Sequence, residues 1–272
     1  MDVGRLISPL GQTKAVVGIG LFFVLWCAEA WIPFWHEAKS SPPRLRHAGR
    51  NLTVTVVNVV LVGLLFSSAT AFSVSWAESA GFGLLRWMRL PAGVSMVAAL
   101  ILMDAWMYAW HRMNHVVPFL WRFHRMHHSD PAMDVTTATR FHPGEMVFSS
   151  ILRLAVIPLL GMSLWQVVIY ELIFLPAIQW THCGVRVAEW FDRASRVVFV
   201  SPRMHRVHHS RYQPETDSNY ASILSVWDRL GGTFRLRDDP STIELGLEGF
   251  DDPRTQTLLG LLKTPLGRQV RR

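Results

Sequence analysis

The stretch DAWMYAWHRMNH, residues 104–115, ends a run of apolar residues with two histidines four positions apart, and its reading decides the fold. The run it ends, Gly93 to Trp110, approaches the ~20 residues that cross a bilayer as a helix. Residues three and four apart share one face of a helix. Asp104, Tyr108, His111 and His115, spaced by four, three and four, therefore line a single stripe. A membrane span whose last turns present imidazoles predicts a helical bundle with a metal-binding polar end.

The rest of the chain agrees with a membrane protein. Half of its 272 residues are hydrophobic and 17% are charged, below the quarter usual in soluble domains. Apolar runs also extend from about Ala15 to Trp35 and Leu52 to Trp76. A further region, Met146 to Trp180, is long enough for two helices broken near Pro158, Gly161 and Ser163. The first run is too long and too aromatic for a cleavable signal segment. The net charge of +7 gathers between apolar runs without a nucleic-acid-binding motif, so no nucleic acid partner is expected. Lys39, Arg44, Arg46 and Arg50 lie between the first two runs and predict a cytoplasmic loop. Counting spans from there places every histidine-rich segment on that same side. Asn51-Leu52-Thr53 is a formal glycosylation sequon, but at the cytoplasmic membrane border it is read as chance. Arg86 and Arg89 in GFGLLRWMRLP are expected in a short interfacial helix, on the opposite side, against the positive-inside trend.

Ten of the twelve histidines fall between positions 111 and 209: His111, His115, His124, His127, His128, His142, His182, His205, His208 and His209. His36 and His47 are outliers. The pairs 111/115, 124/128 and 205/209 can each clamp one ion from adjacent turns. His127 and His208 stand on a neighbouring line, angled toward a second ion, so two facing helices would enclose two metals. Burying so many imidazoles near a bilayer without partners would be unfavourable, and a metal pair partners most of them at once. Asp104 is placed to accept the second N–H of a ligand ring. Arg112, Arg125 and Arg206, interleaved with the histidines, are expected to snorkel toward solvent. With only Cys27 and Cys183, neither a disulfide framework nor a zinc ribbon is available. Imidazole sites suit zinc, copper, iron or nickel. A closed zinc site needs four ligands, usually with cysteine, whereas two six-coordinate ions with open positions would use about eight to ten nitrogens, a count that iron fits best.

These residues carry a family likeness. DAWMYAWHRMNH (104–115), LWRFHRMHHSD (120–130), ATRFHPGE (138–145), THCG (181–184), SPRMHRVHHS (201–210) and NYASILSVWDRLGGTF (219–234) occur in the order and spacing of the fatty acid hydroxylase and sterol desaturase superfamily, which the chain resembles. The bacterial sterol-desaturase-like and alkylglycerol-monooxygenase-like subgroup is most similar, although Cys183-Gly184 stands where a small polar residue and asparagine are usual.

The resemblance implies an all-α, multi-pass bundle with a cytoplasmic helical cap holding two irons, O2 as co-substrate, and oxidation of a lipid C–H bond by hydroxylation or desaturation. It implies residues 1–92 as N-terminal spans, 93–240 as the catalytic domain and 241–272 as a tail. The membrane would be a bacterial inner membrane or the endoplasmic reticulum. Glu145 and Asn219 are candidates for orienting ligands or passing protons. With no dinucleotide fingerprint and no cysteine cluster for an iron–sulfur centre, electrons are expected from a cytochrome, ferredoxin or flavin reductase partner at the basic face. A zinc-dependent membrane hydrolase or a metal-binding membrane protein is the competing expectation.

Overall fold

The computed structural model describes residues 3–33 and 43–267, residues 3–10 as backbone only. His36 and Lys39 lie outside the described residues. The chain folds as α1 (Val3–Trp31), α2 (Arg44–Ser79), a short α3 (Leu84–Trp87), α4 (Ala92–Val116), α5 (Pro118–His128), α6 (Pro143–Leu160), α7 (Leu164–His182), α8 (Glu189–Ser195) and α9 (Pro202–His208), followed by short turns of helix. Among the described residues the only β pairing is in isolated bridges, such as Phe199 with Leu224.

Five of these helices, α1, α2, α4, α6 and α7, are long and apolar enough to cross a membrane. Their outward faces carry large exposed apolar side chains, among them Val56, Val60, Leu64 and Phe72 on α2 and Val97 and Ile101 on α4. Contiguous apolar surface of this kind suits lipid and not water. The expected break in the fourth apolar region falls at Gly161–Ser163. Gly161 ends α6 in the left-handed region at φ +73, and the Ser163 hydroxyl with Gln166 forms a capping box that starts α7. A Cβ on Gly83 would lie 2.3 Å from the Gly161 Cα, so two glycines let the hairpin turn touch the α2–α3 connection. The expected interfacial helix around Arg86 is α3.

Successive spans run in opposite directions, and this fixes which ends meet. His47 at the start of α2 reaches Asp130, beyond α5, and Asn58 on α2 donates to the Phe141 carbonyl just before α6. The last turn of α7 sets His182 beside His127 of α5. The starts of α2 and α6 and the ends of α4 and α7 therefore share one end of the bundle, with α5, α9 and the loops packed over it. At the other end, Val74, Leu85, Ala99, Met103, Ile157, Val167 and Tyr170 form a dry core from α2, α3, α4, α6 and α7. Between the two ends, Glu171 of α7 takes Lys14 of α1 at 2.5 Å and Arg153 of α6 at 2.7 Å. Ionised groups within apolar spans are tolerated when each has a partner. Asn51, the sequon asparagine, is fully buried in α2, where no glycan could attach.

Candidate metal centre

Nine of the ten histidines between positions 111 and 209 converge in two groups. One contains His111, His115, His124, His128 and His208; the other contains His127, His182, His205 and His209. Each i, i+4 pair stays within one group, as helical spacing dictates, while the third histidine of each HRxHH box crosses to the other. His127 leaves the 124/128 pair to join 205/209, and His208 leaves 205/209 to join 124/128. The two boxes thus interlock, and neither α5 nor α9 can complete a group alone. Local signals shape both helices: Pro118 occupies the first turn of α5, and the Ser201 hydroxyl caps α9 ahead of Pro202.

Backbone carbonyls fix the tautomers of three rings. His111 Nδ1 donates to Tyr220 O at 2.8 Å, His208 Nδ1 to Ser218 O at 2.7 Å, and His182 Nδ1 to Ile178 O at 2.7 Å. A carbonyl only accepts, so Nδ1 carries the proton and Nε2 of the neutral ring is left as a lone pair. Yet His208 Nε2 and His111 Nε2 face one another at 3.0 Å. In the other group His182 Nε2 lies 3.1 Å from both His127 Nε2 and His205 Nε2. Among the described residues, neither ring nitrogen of His128 or His209 has a hydrogen-bond partner, nor does His124 Nε2. Facing lone pairs repel unless a cation lies between them, so the rings present fit bound metal ions.

The electrostatics favour the same state. Burial, reinforced by neighbouring imidazoles, holds His127, His128, His205 and His209 well below the ordinary histidine range. Burial, together with His124, pushes His208 down to about 3. Burial thus favours the neutral form of these five rings, the form that can ligate, and neither group includes a carboxylate.

His142, expected among the ligands, joins neither group. Its Nδ1 accepts from Gly144 N and its Nε2 faces Leu262 O, so it caps α6 and both nitrogens are taken by backbone. Asp104 does not reach a ring either. It lies two helical turns before His111, about 10 Å along the axis, and accepts from Trp227 Nε1 at 2.8 Å and Leu224 N at 3.0 Å. It anchors the loop that covers the site. Glu145 sits where its Oε1 meets His124 Nδ1 at 2.8 Å. Asn219 does not face the rings: it adopts φ +52 and its side chain bonds Met204 O, Arg235 O and Arg235 N. Its turn lies between Ser218 O and Tyr220 O, the two carbonyls that orient His208 and His111. Asp228, buried below this turn, accepts from Tyr220 N and Ala221 N, which makes the WDR segment a packed corner.

Of the interleaved arginines, Arg112 is exposed. Arg125 and Arg206, expected at solvent, are buried. Arg125 donates to Thr264 O and Gly267 O, so it holds the C-terminal segment against α5. Cys183 is buried against Leu25 and Val135, burial pushes its thiol up to about 12, and it belongs to neither group of rings.

Sequence reasoning missed a second buried polar cluster. His47 faces Asp130 through Nε2 at 2.8 Å and Asp134 through Nδ1 at 3.2 Å. Arg140 bonds Asn51, Ser129 and Gln256 and lies 3.5 Å from Asp130. Glu29 of α1 accepts from Val135 N and Gly184 N. The acids beside HRMHH at Asp130 and Asp134 were the available signal, but His47, the partner they share, lies more than eighty residues away in sequence.

Comparison with known proteins gives concordant matches. A family model described as fatty acid hydroxylase matches residues 96–233. The ornithine lipid hydroxylase OlsE of Rhizobium tropici is 32% identical over 186 residues, covering 67% of this chain and 53% of that protein. Human alkylglycerol monooxygenase is 26% identical over 227 residues, covering 80% and 47%. Mouse cholesterol 25-hydroxylase is 25% identical over 184 residues, covering 59% and 57%. The chain spans about half the length of the curated relatives it matches. No solved structure matches it.

Proposed function

Because the chain belongs to the fatty acid hydroxylase family and is an integral membrane protein, we propose that it is a di-iron oxygenase that hydroxylates a lipid C–H bond. The observation that carries this reading is the facing of the bare His111 and His208 nitrogens at 3.0 Å within two carboxylate-free groups of rings. Five histidines would hold one ion and four the other. Iron is the metal of this reading because nine imidazoles exceed what one closed four-ligand zinc site uses. Two irons there would supply the reduction of O2 to an oxidant able to break an unactivated C–H bond.

The chain's own groups do the rest. Tyr220 O, Ser218 O, Ile178 O and Glu145 hold protons on the outer nitrogens of His111, His208, His182 and His124, and so aim the inner nitrogens. Burial of the rings excludes bulk water. The site closes the end of the spans, so a lipid chain can approach laterally from the bilayer. Lipids are the substrate class because the matched relatives are named for a lipid hydroxylase, an alkylglycerol monooxygenase and a sterol hydroxylase. The cluster Arg44, Arg46 and Arg50 at the start of α2 supports reading the histidine end as cytoplasmic. Exposed cations at that end, among them Arg46, Arg112, Arg122 and Lys263, suit docking of an acidic electron donor.

The test is direct. Full-length protein in nanodiscs is assayed for metal content, O2 uptake with reductant, and incorporation of isotope-labelled oxygen into added lipid. Two irons per chain and one labelled oxygen atom per product are expected; an unsaturated product without label would make it a desaturase. Tightly held zinc that iron cannot replace, with no lipid oxidised, would refute the oxygenase reading in favour of a zinc hydrolase or binding protein.

A further inference from the structure

Arg86 and Arg89 remain unexplained by the chemistry at the histidine end. They lie at the opposite end of the bundle, where cationic loops are not expected on insertion grounds. The nineteen helical steps from Ala92 to His111 span about 29 Å, one hydrocarbon thickness. There α3 and the start of α4 meet the α6–α7 turn around a cavity of about 820 Å³, lined by Arg86, Arg89, Trp87, Ser95, Ser163 and Gln166 among others.

The lining is built for an anion. Arg86 is held by Glu78 at 3.1 Å, while its buried Nε has no partner among the described residues. Arg89 is exposed and no carboxylate among the described residues pairs with it. Its backbone sits at φ +48, a left-handed conformation that is unfavourable for an arginine and is kept where surroundings or function demand it. The start of α7, capped by Ser163, points its positive dipole end here, and Gln166 Nε2 bonds Ser95 Oγ at 3.0 Å. Trp87 and Met88, both more than half exposed, sit beside the arginines, as expected for residues at the headgroup boundary.

We propose that this cavity binds the phosphodiester of an anionic glycerophospholipid in the leaflet opposite the histidine groups. Arg89 and Arg86 supply the charge, and Ser95, Ser163 and Gln166 supply hydrogen bonds. The acyl chains would lie along the exposed apolar faces of α2 and α4. A lipid seated there would tie the α6–α7 turn to the α2–α4 connection, next to the Gly83–Gly161 contact. The inference is independent of the reaction at the other end.

Native mass spectrometry of the full chain, offered equal phosphatidylglycerol and phosphatidylcholine, tests it. One phosphatidylglycerol should be retained in preference to phosphatidylcholine, and R89Q and R86Q should each weaken that preference about fivefold, the worth of one arginine near an anionic surface. R89G removes the same charge and relieves the backbone, so it should weaken the preference as R89Q does while melting no lower than the parent protein in lipid-free detergent. Equal retention of both lipids by the unaltered protein, or full preference in both R89G and R89Q, would overturn the proposal. Displacement by millimolar sn-glycerol 3-phosphate as effective as displacement by short-chain phosphatidylglycerol would overturn the lipid assignment in favour of a free-anion site.

Discussion

His47 and His208 are both buried histidines at the same end of the bundle, yet their surroundings are opposite. His47 has a carboxylate on each ring nitrogen, Asp130 on one side and Asp134 on the other, so it has no nitrogen to give a metal. His208 has a carbonyl on Nδ1 and another bare imidazole nitrogen opposite Nε2. The first environment is complete without an ion and the second is not. Burial alone therefore does not mark a metal site; what marks it is buried polar atoms whose only neighbours are atoms of the same kind. Asp130 shows the reverse case. Burial opposes its charge, but His47 and Arg140 outweigh burial and hold its carboxyl well below the usual carboxylate range.

The sharpest way to break this contrast is to remove one member of each region. His208→Ala should lower iron per chain and reduce lipid oxidation by more than about 100-fold, beyond the loss expected for a residue that only orients a ligand; unchanged iron would contradict the grouping. Asp130→Asn should do the opposite. It leaves Arg140 buried without its charge partner and His47 with Asp134 alone, and should destabilise the fold by about 3 kcal/mol, while the protein that remains folded binds iron normally; chemical denaturation and metal analysis separate the two outcomes. Between these lies Glu145→Gln, which keeps the shape but loses the charge that holds the His124 proton. It should weaken metal binding by about 10- to 100-fold with little change in melting, and an unaltered affinity would show that Glu145 does not tune the ring. The smallest effect is expected at His142. His142→Ala should cost about 1 kcal/mol as a lost helix cap and leave metal content intact; lost metal would restore it to the ligand set.

The outcome at particular residues shows what was legible. Spacing within a helix was reliable because neighbours are set by 3.6 residues per turn: 111/115, 124/128 and 205/209 do pair. Asp104 was on the right stripe, but a stripe gives direction and not height, and two turns put it out of reach. His142 and Asn219 carry the right chemistry, but the backbone groups that use them come from turns whose shape local sequence does not specify. The buried His47–Asp130–Arg140 cluster, the Lys14–Glu171–Arg153 group inside the spans and the seating of Arg125 under the C-terminal segment were all unread. Each joins residues far apart along the chain, and no periodicity reports such a pairing.

By itself, then, the sequence determined that this chain crosses a membrane as helices and that its histidines are presented in pairs, because hydropathy and helical period are properties of neighbouring residues. The tertiary structure alone decided that the pairs interlock into one group of five and one of four, which carbonyls leave their inner nitrogens bare, and which buried histidine is an ion-pair partner instead of a ligand. Those outcomes depend on which distant segments the packing of α4, α5, α7 and α9 brings within 3 Å, and distance through space is not written in distance along the chain.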